Sequence, residues 1–99
     1  MKYTIAYSEQ ADKDLDNLFD AITYDYLSPV TAFRYVQGVV ETIEKMSCHP
    51  DLYPLRFNKS FFPFGQFVRR VDYKKMAILY TLFDDVVYIH RIIAASLIT

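Results

Sequence analysis

The hydrophobic period changes once along this chain, from helical spacing to strict alternation, and that change constrains its fold more than anything else in the sequence. Ala11, Leu15, Leu18, Phe19, Ile22 and Tyr26 recur as one helical stripe. Ala32, Val36, Val39, Val40, Ile43 and Met46 form a second. From Gln66 onward the period is two, and residues 66–71, 75–83 and 86–93 read as three strands. A short alternating run over residues 2–7 reads as a strand ahead of the first helix. The expected order is strand, helix, helix and three strands, an α+β chain. A helical hairpin should lie on one face of a four-stranded, mainly antiparallel sheet.

Local signals agree with these limits. Ser8 offers a cap to the first helix, with Glu9 and Asp12 well placed for its dipole. Asp14, Asp16, Asp20 and Asp25 fall mostly off the apolar stripe and read as its solvated face. Ser28-Pro29 restarts the chain, with serine as cap and proline at the first helical position. The second helix should end at His49-Pro50, with His49 favourable to its dipole. A break this short makes the two helices an antiparallel pair. Residues 51–65, with Pro54, Pro63 and several aromatic rings, read as a loop, and Asp84-Asp85 as a tight turn. The middle strand is apolar on both faces, which places it at the centre of the sheet. The face without helices, if bare, would be a docking surface. The six residues after the last strand are too few for a helix without packing.

The length of 99 residues suits one domain, and 9 Tyr with 8 Phe exceed what so small a core can hide. Some rings should therefore face a partner. One cysteine, Cys48, excludes an internal disulfide and reads as a packing residue in a reducing compartment. The opening Met1-Lys2-Tyr3-Thr4-Ile5 is too short for a secretory core, and no apolar run approaches a span of roughly 20 residues. A cytoplasmic protein with no membrane partner is expected. Residues 1–55 hold 4 Lys/Arg against 9 Asp/Glu, whereas residues 56–99 hold 7 against 3. An anionic target would therefore meet the back half.

With those elements in place, specific strings become recognisable. Ser8, Ala11, Asp14 and Leu15 resemble the S-x-x-A-x-x-D-L opening of the RelE/ParE superfamily of type II toxins. Ser28-Pro29 followed by Ala32, and the ending at His49-Pro50, resemble its second helix, on the ParE side of the superfamily. Gly65 with Val68-Arg69-Arg70 is similar to its G-x-R-R strand, and Met76-Ala77-Ile78-Leu79-Tyr80 to its Y-x-I-x-Y. Val87-Tyr88-Ile89-His90-Arg91-Ile92-Ile93 resembles its V-x-I-x-R-I-L final strand. The likeness runs nearly end to end. It implies a toxin silenced by a cognate antitoxin whose extended or helical segment wraps it. RelE-like members cleave messenger RNA on the ribosome, and ParE-like members poison DNA gyrase.

Chemistry separates those branches. RNA cleavage by the 2′-hydroxyl needs a proton acceptor, cations for the phosphate and a proton donor for the leaving oxygen. Cations are available: Arg69, Arg70, Lys74, Lys75 and Arg91 are the candidate target-binding residues. Arg70, Arg91 and His90 are the candidate catalytic residues. Arg69 and Arg70 should point to opposite faces, as should His90 and Arg91, so neither pair should line one site. The resemblance implies a His-Tyr pair or a tail tyrosine after the last-strand arginine in nucleases, and here Ile92 to Thr99 supply neither. Two histidines and one cysteine at positions 48, 49 and 90 form no metal-ligand pattern, and no cofactor is expected. Three readings stay open: a toxin that binds a protein such as gyrase, a ribosome-dependent ribonuclease, and an inactive antitoxin-binding module. Any nucleic acid would be met only through the target or the antitoxin complex. Tyr53, Phe57, Phe61 and Phe62 are the candidate antitoxin contacts. Arg91→Ala should abolish toxicity while leaving the fold intact.

Overall fold

The computed structural model describes residues 3–56 and 67–98. Strand β1 (Thr4–Tyr7) leads into helices α1 (Glu9–Tyr26) and α2 (Pro29–Met46), then a 3-10 turn at Pro50–Leu52. Strands β2 (Leu55–Arg56), β3 (Val68–Tyr73), β4 (Met76–Phe83) and β5 (Val86–Ala94) follow, and a 3-10 turn at Ala95–Leu97 comes after them. The sheet order is β1-β5-β4-β3-β2. Among the described residues β1 and β5 run parallel and the other pairs are antiparallel. The chain is thus α+β with the expected hairpin on a mainly antiparallel sheet, but with five strands among the described residues instead of four. The extra strand pairs Leu55 with Arg69 and Arg56 with Val68. Two residues cannot display a period, so the sequence shows no trace of it.

Both helices start as their serines direct. Ser8 Oγ accepts the Ala11 amide at 2.9 Å, and Ser28 Oγ accepts that of Thr31 at 3.2 Å. Leu27 closes α1 in the left-handed region, at φ 51°. The two-residue turns at Lys74-Lys75 and Asp84-Asp85 each open on a residue of positive φ, 52° and 55°. Such backbone costs an L-residue roughly 1–2 kcal/mol where no glycine is supplied.

The main core lies between the helices and one sheet face. Ala11, Val39, Ile43 and Met46 meet Val71, Ile78, Tyr80, Val87, Ile89 and Ile92, all buried. Tyr80 brings a hydroxyl inside, and that group donates to the Pro50 carbonyl at 2.8 Å. Burial holds its pKa far above the ordinary tyrosine value.

Several expectations need correction. The buried α1 stripe stops at Ile22, and Tyr26, the last residue of the helix, is 68% exposed. Asp14 is buried at 8% and does not belong to a solvated face. Helix α2 ends at Met46, where the Ser47 amide bonds back to the Ile43 carbonyl. Cys48 and His49 therefore lie beyond the helix and are exposed, so neither packs inside; they meet the helix end only by hydrogen bonds to its last carbonyls, the Cys48 amide to Lys45, the Cys48 thiol to Glu44 and the His49 amide to Met46. The second sheet face is not bare: Val68 and Leu79 have no exposure, with Ile93 and Ile98 packed against them. The Ala95 amide donates to the Lys75 carbonyl at 2.8 Å and turns the chain end over this face.

Gly38 is set by a close approach. A β-carbon there would stand 2.2 Å from the Tyr73 hydroxyl and 2.3 Å from its ring. That ring sits edge-on to Tyr35 at 5.3 Å, with Lys74 Nζ near both rings. Alanine in mid-helix gains about 0.5–1 kcal/mol over glycine, but here it would displace the ring and its aromatic contact. Gly38→Ala is expected to lower unfolding free energy by about 1 kcal/mol in urea titrations. In a Tyr73→Ala background the same change should raise it.

Candidate functional site

The strand register decides which side chains share the face turned away from the helices. Arg70 pairs with Leu79, and Leu79 pairs with Arg91, so these three form one row across β3, β4 and β5. Arg69 pairs with Tyr80 and belongs to the helix side. Its guanidinium donates to the backbone carbonyls of Asp51 and Tyr53 and anchors the chain after α2. Lys74 sits by the Tyr35 and Tyr73 rings. Lys75 is exposed in the β3–β4 turn. Of the five candidate target-binding cations, only Arg70 and Arg91 therefore share a row.

Both of these are engaged within the molecule. Arg70 forms a two-pronged pair with Asp72, two residues along the same face, at 2.6 and 2.9 Å. Those hydrogen bonds hold the guanidinium pKa above its usual value. Arg91 reaches Asp14 on α1, Nε to Oδ2 at 2.8 Å and Nη2 to Oδ1 at 3.1 Å. Its own pKa is raised by that partner as well. Ile92 adds its backbone N–H to Oδ2 at 2.9 Å, and Gln10 Nε2 reaches Oδ1 at 3.2 Å. Each carboxylate oxygen thus accepts two bonds, which fills its capacity and makes burial of the charge tolerable.

The position of this carboxylate follows from where β1 stops. β1 pairs with β5 as far as Tyr7 opposite Ile89. The Ser8 amide continues to the Ile89 carbonyl, and Ser8 Oγ donates to the His90 carbonyl at 2.8 Å. Beyond that point β5 has an open edge. Asp14, nearly two turns into α1, takes the next edge amide, that of Ile92. Ala11, with no exposure, lets the helix approach the strand. Ser8, Ala11 and Asp14 together stitch α1 along the edge of β5.

His90 occupies a bulge. The register slips between Leu79 and Tyr80, which pair with Arg91 and Ile89, and His90 is left without a partner. Alternation fails there, because a bulged strand carries one extra residue. The His90 ring lies 2.9 Å from Thr81 Oγ1 and edge-on to Tyr88 at 4.7 Å. Tyr88 pairs with Thr81, so His90 shares the face of Arg91 and does not oppose it. Burial lowers the His90 pKa, which favours the neutral ring. Exposed Phe83 and Tyr88 extend this face toward the far end of the sheet.

Tyr53, half-buried, turns edge-on to Tyr80 at 6.4 Å. Phe57, Phe61 and Phe62 lie outside the described residues. Among the described residues no group of three or more His, Cys, Asp or Glu is gathered as for a metal. No described helix is long and apolar enough to cross a membrane. The residues missed by periodicity are Asp14, Asp72 and Thr81. Asp14 alone left a signal, as the aspartate of the S-x-x-A-x-x-D-L string.

A family model described as the ParE toxin of a type II toxin–antitoxin system, parDE, matches residues 5–96. A structure of the chromosomal ParDE system from P. aeruginosa superposes with a TM-score of 0.76 at 19% identity, covering 94% of this chain and 96% of that one. The toxin–antitoxin complex RelBE2 from Mycobacterium tuberculosis gives 0.67 at 19% identity, covering 95% and 99%. No curated protein matches in sequence. The two structures share the fold of this chain.

Two measurements follow from the site. Asp14→Ala strips the partner from Arg91 and from the Ile92 amide. Breaking a fully buried pair costs about 3–5 kcal/mol, but the Arg91 side chain keeps 32% exposure and can rehydrate. A loss of about 2 kcal/mol in unfolding free energy is expected, read by denaturant titration. His90 binds its proton less readily folded than unfolded, so stability should be complete above the unfolded value near 6.5 and fall as pH drops toward the folded value. His90→Gln should flatten that part of the stability–pH curve, measured at fixed ionic strength.

Proposed function

We infer that this chain, which belongs to the ParE toxin family of type II toxin–antitoxin systems, arrests growth by binding a protein target such as DNA gyrase and performs no cleavage of its own. The observation that carries this reading is the internal engagement of the three arginines of β3 and β5. Arg69 is held by backbone carbonyls, Arg70 by Asp72 and Arg91 by Asp14. An RNA phosphate would have to displace those partners, and phosphate neutralisation dominates affinity for nucleic acid. His90, beside Arg91, has its proton affinity lowered by burial and is bonded to Thr81, a poor arrangement for donating a proton to a leaving oxygen. The overall charge of −1 points the same way.

In this reading the far sheet face meets the target, with exposed Phe83 and Tyr88 as apolar anchors and Arg70 and Arg91 bordering them. Neutralisation by a cognate antitoxin accompanies it, since both neighbouring structures are described as toxin–antitoxin systems. The proposed antitoxin contact is the aromatic stretch with Tyr53, Phe57, Phe61 and Phe62. Arg91→Ala is not a clean probe of the target, because it leaves a buried carboxylate with two of its four bonds.

The test is to add the purified chain to a gyrase supercoiling reaction and, separately, to a translating ribosome extract. Inhibited supercoiling with intact messenger RNA is expected. Phe83→Ser with Tyr88→Ser should weaken inhibition about 10- to 100-fold, since truncated aromatic anchors commonly cost that much. Messenger RNA cut at the ribosomal A site, with supercoiling untouched, would overturn the reading.

A further inference from the structure

The corner between α1 and α2 has no role in the target face or in the core, yet it carries five exposed large apolar side chains, among them the two most exposed of the described residues. Tyr24 is 81% exposed, Tyr26 68%, Leu27 86%, Val30 61% and Phe33 61%. They fall in the last turn of α1, the connection, and the opening turns of α2. Together these five residues leave on the order of 600 Å² of surface in water, as much as the largest apolar patch of a typical monomer.

Leu27 sharpens the point. It sits at φ 51°, a conformation that favours glycine, and its side chain is almost wholly in solvent. Nothing inside the monomer is gained by leucine here, and backbone comfort is lost. A strained, exposed apolar residue is explained by a contact outside the chain.

Charge identifies the occupant. Asp20 lies four residues before Tyr24 and Arg34 four after Val30, so each neighbours the patch on its own helix. Neither forms an ion pair among the described residues. A surface that carries both signs on its rim can satisfy them against itself. A two-fold contact requires that self-complementarity, because the same patch supplies both sides. Two patches of this size would bury roughly 1,200 Å², the lower bound for a stable, specific interface.

We propose that the α1–α2 corner is a homodimer interface, in which Tyr24, Leu27 and Phe33 of two copies pack together and Asp20 of each faces Arg34 of the other. The arrangement leaves the far sheet face of both copies free.

Sedimentation equilibrium of the full chain at roughly 5–200 μM tests this, a range suited to an interface of modest area. The apparent mass should climb from 11.7 kDa toward twice that value. Leu27→Gly and Phe33→Ser should stay monomeric, and Leu27→Gly should unfold at the same or a higher temperature, which separates lost association from lost folding. Asp20→Arg or Arg34→Asp alone should weaken the dimer about tenfold or more, and the two combined should restore it. A wild-type chain monomeric throughout would overturn the proposal. A dimer that survives both apolar substitutions would do the same, as would reversals that fail to rescue each other. Loss of antitoxin binding in Leu27→Gly with a monomeric wild type would assign the corner to the antitoxin instead.

Discussion

A single carboxylate on α1 closes the edge of the sheet where β1 runs out. β1 covers β5 only as far as Ile89, and β5 continues to Ala94. An uncovered strand edge offers amides to any passing strand, and a buried charge without partners is costly. Asp14 resolves both at once by accepting from Ile92 and from Arg91. The remaining architecture depends on that contact. With the Ser8 bonds to the Ile89 and His90 carbonyls it sets where α1 crosses β5, and α2 packs beside α1 through the short hairpin corner. The core between α2 and β3, including the glycine that admits the Tyr73 ring, rests on that placement.

The same contact shapes the far face. Arg91 lies in the row of Leu79 and Arg70, yet its guanidinium is drawn to the sheet edge by Asp14. One step before it, the bulge at His90 brings histidine, Tyr88 and Thr81 together on that face. The result is a surface of aromatic rings bordered by charges that already have partners. In the proposed reading such a surface serves recognition of a folded protein, because Arg69, Arg70 and Arg91 are already engaged within the chain.

The layering was legible in the sequence because it is written in period. Two helical stripes, two serine caps, and a central strand apolar on both sides specify the hairpin and the sheet without reference to any other protein. What escaped was written in single residues. Asp14 sits one position from the apolar stripe, and periodicity alone cannot tell a solvated aspartate from one that meets an amide 78 residues away. The bulge was invisible because alternation on either side of His90 is intact; the slip appears only when β4 is laid beside it. The two-residue β2 is too short to show a period. The exposed corner, in turn, contradicts the extended α1 stripe: Tyr26 keeps the spacing, yet as the last residue of the helix it stays in solvent.

Amide hydrogen exchange at Ile92, followed by NMR on the unmodified chain, reports on the carboxylate clasp most directly. If Asp14 holds that amide, Ile92 should exchange as slowly as core amides such as those of Ile78 and Leu79, although no strand pairs with it on that side. Exchange as rapid as in a frayed chain end would mean that the clasp is absent in solution and that something else sets α1 against β5.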